Sequence, residues 1–174
     1  MSVVIELLPA AGPVLLVGGG QVALRKARNL AEGGFITTVI APDALPEIPA
    51  LPGVTLVARE FADADITDAL PPWTLVIACT SSREVNRRTG LLARERGVPV
   101  LVADAQAEST FFTPAILRDG GLQVAVSTGG ADPRLARQVR ERIAGAIGTG
   151  WDEVVATAGR ERRERLGRST SPGP

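Results

Sequence analysis

The chain has 174 residues, 45% of them hydrophobic, and its 19 basic and 19 acidic side chains cancel. That length suffices for one domain with a real core, or for one domain and a small appendage, and the zero net charge excludes a nucleic-acid binder held by bulk charge. A single cysteine, Cys79, and the absence of histidine exclude an internal disulfide, Cys–His catalysis and a multi-Cys/His zinc site, so no metal ligands are expected and acid–base chemistry falls to carboxylates, lysine, arginine, water or the substrate.

The first segment, MSVVIELLPAAGP, is apolar, but it lacks a basic start and is interrupted by Glu6, Pro9 and Pro13. It reads as a short edge strand and a turn, not as a membrane span or a secretion signal. A cytoplasmic protein without membrane or nucleic-acid partners is expected. Next comes VLLVGGGQVALRK, residues 14–26, the most informative stretch of the chain. An apolar run stops at three glycines and gives way to a helical pattern, and Gly18, Gly20 and Ala23 match the G-x-G-x-x-G/A spacing of dinucleotide-binding turns. In that pattern Gly18 permits the tight turn, Gly20 lets a pyrophosphate approach the backbone, and Ala23 allows close helix–strand packing. The helix start, at Gln21 and Val22, offers free N–H groups and a positive dipole end to an anion. A glycine triplet alone also suits a turn that binds nothing, but here the amphipathic QVALRKARNLAEGG and the β-branched FITTVIAPD follow, completing a βαβ unit of about thirty residues.

The proline-rich loop ALPEIPALPG leads to a strand in VTLVARE, a short helix in DADITDAL and an apolar strand in LVIAC, with SREVNRRTGLLARERG as a helix and PVLVAD as a fifth strand. Strands and helices alternate from about residue 14 to 105, the pattern of a Rossmann-like, doubly wound parallel sheet in the α/β class. The pattern then changes. STFFTPAILRDGGLQVAVSTGG reads as two strands joined by a turn at Arg118-Asp119-Gly120-Gly121, and ADPRLARQVRERIAGAIG reads as a helix capped by Asp132 with Pro133 at its first position. The remainder, WDEVVATAGRERRERLGRSTSPGP, reads as a weak helix fading into a disordered tail. The expected organisation is a nucleotide-binding domain over 1–110, a hairpin and helix region over 111–147, and a short helical segment with tail over 148–174.

In doubly wound sheets the ligand lies beyond the carboxyl ends of the strands. The candidates there are Gly18 to Val22, Pro42 and Asp43, Thr80 and Ser81, and Asp104. Asp43 lies about twenty residues past the glycines, where a ribose-binding acid belongs, and there it would favour NAD over NADP; it also suits an ordinary turn after proline. Asp104 ends the run PVLVA, near where a nicotinamide would lie, and a carboxylate there would exchange a proton during hydride transfer; it also suits a cap closing the strand. Ser127, Thr128 and Gly129 open the Asp132 helix, with Arg134 and Arg137 on its first turns. That loop would hold an anion by the same physics, or be an ordinary capped helix with a solvated basic face. Cys79, Trp73 and Trp151 read as packing residues, and Arg25 and Lys26 as surface or helix-packing groups.

VLLVGGGQVALRKARNL, TVIAP, LVIACT, EVN, VLVADAQAESTFFTPAIL and LQVAVSTGGADPRLARQVRERI occur in this order. Together they resemble the precorrin-2 dehydrogenase family, which includes the N-terminal region of siroheme synthases, over about residues 1–147. The resemblance implies NAD-dependent oxidation of precorrin-2 to sirohydrochlorin, for siroheme or cobalamin, with ferrous iron insertion in some members. It implies a homodimer whose central regions interlock, with the hairpin and helix at 111–147 in that role. It places Asp104 at the centre of the chemistry, Gln21, Val22, Pro42 and Asp43 against NAD, and Ser127 and Thr128 against the tetrapyrrole. Two departures stand out: Leu101 replaces the asparagine often found three residues before the aspartate, which predicts an altered polarity near the site, and the long helical C-terminal domain of fuller members is missing. Within enzymes the alternative is a bifunctional dehydrogenase and ferrochelatase; a nucleotide-sensing domain without turnover is the alternative from a different class, and the VAD…FFTPA…STGG block favours the enzyme.

Overall fold

The computed structural model describes residues 2–169. Contacts divide them into two compact units, one of residues Ile5–Phe112 and another of 2–4 with 113–169.

The first unit is the expected doubly wound sheet. Strands β1 (Val14–Val17), β2 (Thr37–Ile40), β3 (Val54–Val57), β4 (Leu75–Ala78) and β5 (Val100–Val102) are all parallel in the order β3-β2-β1-β4-β5. Helices α1 (Gln21–Glu32), α2 (Ala64–Thr67) and α3 (Arg83–Glu95) fall in the connections from β1, β3 and β4. β1 is central and wholly buried, so its side chains divide by the strand's period of two. Val14 and Leu16 pack with Ala23, Leu24 and Ala27 of α1, while Leu15 and Val17 pack with Leu92 and Ala93 of α3. The β2–β3 connection carries no helix; there Ile48, fully buried, fills the α1 side of the sheet.

One expectation about this unit is corrected. The edge strand before Pro9 does not form: residues 2–8 have no regular secondary structure, and only a 3-10 turn at Pro9–Ala11 precedes β1. Apolar residues alone do not make a strand without a ladder partner, and Val3, Val4 and Ile5 are exposed. Leu101, expected to alter polarity near the site, is 8% exposed inside the cluster around Val14 and Leu16. Its side chain belongs to the core.

In the second unit β6 (Ala115–Asp119) and β7 (Leu122–Val126) form the antiparallel hairpin, leaving only Gly120 and Gly121 between them. Helix α4 (Pro133–Ile147) packs on both strands, and α5 (Trp151–Ser169) contacts β7. Gly120 has φ +54°, and a Cβ there would stand 2.3 Å from the Asp152 side chain, so the turn demands glycine twice over. Helix α5 is longer than its sequence suggested. Good helix formers dominate its second half, and Arg160 donates to the Thr157 hydroxyl at 2.8 Å. The expected disordered end at 170–174 lies outside the described residues.

The packing predicts a specific cost. Leu16→Ala empties a fully buried site between sheet and α1, and urea unfolding should show a loss of about 2–5 kcal/mol.

Candidate cofactor and proton-transfer site

Three consecutive glycines connect β1 to α1, and each meets a different environment. Gly18 has φ +129°, and a Cβ on it would lie 2.6 Å from the Cys79 carbonyl oxygen. Gly19 backs onto the loop after β2: a Cβ there would lie 2.1 Å from the Asp43 carbonyl oxygen, and its own carbonyl accepts the Leu45 N–H at 2.9 Å. A Cβ on Gly20 would meet nothing within 4 Å. The first two glycines are therefore required by the chain itself, whereas the third leaves open space at the helix start.

Gly20 is also the N-cap of α1, with no side-chain cap and no acidic residue in the first turn. The N–H groups that begin any α-helix have no partner within it, and here nothing on a side chain cancels the positive dipole end. Gln21 and Val22 stand exposed at this position. Bare N–H groups, a positive dipole and room for atoms suit a pyrophosphate, so the residues present fit a dinucleotide. Pro42 and Asp43 are exposed on the β2 loop that touches Gly19.

Cys79, buried just past the end of β4, and Lys26 on α1 influence each other electrostatically. Burial lowers Lys26 to about 8, with the Arg25 charge acting in the same direction and Cys79 opposing it. Burial pushes the Cys79 thiol up to about 12, against the pull of Lys26 and Arg25. A thiol so placed is a protonated packing residue and not a nucleophile.

Thr80, half-buried, and Ser81, exposed, follow β4. Asp104 follows β5, at the tip of a turn whose base is closed by side chains. The Ser109 hydroxyl accepts the Val102 N–H at 2.9 Å and the Thr110 hydroxyl accepts the Val100 N–H at 2.8 Å. These bonds satisfy the open edge of β5 that no further strand covers. The Asp104 side chain is 38% exposed, with the Arg83 guanidinium 3.6 Å away. Arg83 also pairs with Glu108. Oδ2 of Asp104 accepts a bond of 3.0 Å from the side-chain amide of Asn86 on α3. Four sheet-edge candidates named from the sequence thus lie at the ends of β1, β2, β4 and β5, on one edge of one sheet.

The other candidates belong to the second unit, where the helix start is built differently. The Asp132 carboxylate caps α4, accepting from Arg134 N at 2.7 Å and Leu135 N at 3.2 Å. The Thr128 hydroxyl exchanges bonds with the Asp132 backbone at 3.0 and 3.1 Å, and the Ser127 hydroxyl accepts from Gly129 N at 3.2 Å. The physics assigned to α1 does not transfer, because a carboxylate already occupies the α4 dipole end. Arg134 and Arg137 are exposed, and Nε of Arg137 donates to the Pro133 carbonyl at 3.4 Å.

Sequence reading passed over Gly19, Arg83, Asn86 and Glu108. Gly19 had a signal, since the tight motif asks for glycine only at its neighbours and the third glycine needed another reason. Asn86 had a weaker one, in the EVN block.

Comparison with known proteins agrees with this geometry. Residues 9–115 match the family described as "Putative NAD(P)-binding", and 119–146 match the central segment of sirohaem biosynthesis proteins. The chain is 39% identical over 155 residues to a siroheme synthase of Ectopseudomonas mendocina, covering 88% of this chain and 32% of that protein. It is 40% identical over 164 residues to siroheme synthase 1 of Aeromonas salmonicida, covering 92% and 34%. It thus spans about a third of the length of these relatives. The solved structure of SirC, a precorrin-2 dehydrogenase, superposes with a TM-score of 0.71 at 22% identity, covering 88% of this chain and 76% of the other, which establishes a shared fold. With residues 9–115, more than half of the chain, matched by that family and the sirohaem segment following directly, this protein belongs to the NAD(P)-binding family, and its relatives include siroheme synthases.

Proposed function

We propose that the chain catalyses the NAD-dependent oxidation of precorrin-2 to sirohydrochlorin in siroheme biosynthesis. The observation that carries this reading is the open, uncapped helix start at Gly20 on the sheet edge that also presents Asp104. The siroheme synthase relatives support the choice of substrate.

NAD, when bound, supplies the acceptor for two electrons and one proton transferred together as hydride. Gly18, Gly20, Gln21 and Val22 would hold its pyrophosphate, and Thr80 and Ser81, just past the end of β4, would also contact the cofactor. Asp43 takes the ribose hydroxyls, and its charge would repel a 2′-phosphate, favouring NAD over NADP. Asp104 receives the second proton released from the ring system, either directly or through water. The product gains conjugation, so the protein has mainly to bring two reactants together. Ser127, Thr128 and Gly129 contact the tetrapyrrole, and Arg134 and Arg137 meet its carboxylates. A homodimer formed through 111–147 completes the reading. A cytoplasmic location suits a protein with one buried free thiol, and no helix among the described residues is long and apolar enough to cross a membrane.

The decisive assay mixes purified protein with precorrin-2 and NAD and follows absorbance. Appearance of sirohydrochlorin is expected; NAD binding without turnover would instead indicate a sensor. Asp104→Ala should lose turnover while binding NAD nearly as the parent does, and undiminished turnover would remove Asp104 from the mechanism. The glycines separate cofactor from scaffold. Gly20→Ala should keep the melting temperature and weaken NAD binding by tenfold or more, whereas Gly19→Ala should lower the melting temperature by several degrees, since its Cβ collides with backbone. Light scattering should report a dimer, and a monomer at micromolar concentration would refute the dimer.

A further inference from the structure

Asn86 is 1% exposed, on the face of α3 that packs toward the sheet. Its side-chain amide has two lone pairs and two N–H bonds, and all four are used. Oδ1 accepts the Thr80 N–H at 2.9 Å and the Thr80 hydroxyl at 2.8 Å. Nδ2 donates to the Thr80 carbonyl at 3.1 Å and to Asp104 Oδ2 at 3.0 Å. The partners fix the amide's orientation, because turning it over would set its oxygen against a carbonyl and a carboxylate. No other side chain of this size offers two donors and two acceptors. Aspartate lacks the donors, leucine lacks everything, and a buried polar partner left unmatched is costly.

The place of this amide matters as much as its bonds. β4 and β5 are neighbours, with Ala78 paired to Val102. The last ladder bond between them runs from Ala103 N to the Ala78 carbonyl at 2.9 Å. Past it the two chains part, one carrying Thr80 and Ser81 and the other Asp104. Asn86 is the link that continues where the ladder stops.

We propose that Asn86 is a positioning residue for the reaction: it ties the cofactor loop after β4 to Asp104 and sets the direction in which that carboxylate presents its second oxygen. The inference rests on the reading of Asp104 as the proton-handling group. One carboxylate oxygen is engaged by the amide. The other faces Arg83, 3.6 Å away and itself paired with Glu108, so the charged groups about Asp104 are one cation and that cation's second anion. Asn86 adds a donor to this set without adding a charge. An aspartate in its place would bring a second carboxyl within hydrogen-bonding distance of Asp104, and two carboxylates so close do not both ionise readily.

Two measurements test this. In the unaltered protein, the Asn86 side-chain amide proton aimed at Asp104 should shift with pH in step with the Asp104 carboxyl carbon by NMR, and Asp104→Asn should abolish that shift. An amide proton indifferent to the ionisation of Asp104 would overturn the inference while leaving the role of Asp104 intact, and this readout needs no Asn86 variant to fold. In the kinetic arm, Asn86→Asp should lower kcat tenfold or more at neutral pH and move the acid limb of its pH–rate profile upward by about one unit or more, because the new carboxyl competes for the same proton. An inactive Asp104→Asn beside an Asn86→Asp enzyme with the parent's profile would overturn the positioning role alone. Full turnover in Asp104→Asn would overturn it together with the reading beneath it.

Discussion

At the carboxyl edge of the sheet, three strands run into a stretch of backbone that has no room for side chains. Gly18 lies against the Cys79 carbonyl after β4, and Gly19 lies against the Asp43 carbonyl after β2. Both contacts come from β1 being central and buried on both faces, so its exit must pass between its neighbours' exits. The path of those two residues decides where α1 begins and leaves Gly20 facing empty space. The open space at the helix start is therefore a consequence of crowding one and two residues earlier.

Two helix starts in this chain show how the same backbone physics is put to opposite uses. α1 begins without a capping side chain and without an acidic first turn, so its N–H groups and dipole remain for a ligand. α4 begins with Asp132 bonded to two of its N–H groups, and the hydroxyl and glycine loop before it is occupied with its own turn. Both stretches read in sequence as glycine-rich loops opening a helix. The difference is one carboxylate, and it turns an anion site into a stability device worth about 1 kcal/mol. A role for Ser127, Thr128, Arg134 and Arg137 in substrate binding then rests on their side chains, exposed at Ser127, Arg134 and Arg137 and half-buried at Thr128, and not on the helix end.

Asp104 is held by means that differ from those of the cradle. Ser109 and Thr110 satisfy the free edge of β5 and close the turn that projects it. Arg83 and Asn86 come from the first turns of α3 and reach its two oxygens. The helix that follows the loop after β4 thus supplies the groups that orient the carboxylate on the next strand. This arrangement ties that loop and the Asp104 carboxylate to one rigid element, which is what the proposed reaction, limited by mutual positioning, requires.

Much was legible in the chain by itself. The β1–α1–β2 unit, the alternation that makes a parallel sheet, the Asp132–Pro133 helix start and the Gly120–Gly121 turn all rest on signals contained within a few residues: periodicity, caps and the need for glycine at positive φ. The placement of Asp104 just past a strand's carboxyl end also showed, because it ends an apolar run. Tertiary structure alone decided the rest. Residues 2–8 look like a strand but found no partner to complete one, Leu101 turned its side chain into the core, and Gly19 proved necessary because of Asp43, far along the chain. Asn86 and Asp104 are 18 residues apart and meet only because β4 and β5 lie side by side. Local patterns record which conformation a segment prefers, whereas contacts between segments depend on which strands become neighbours, and that choice is made by the burial of the whole sheet.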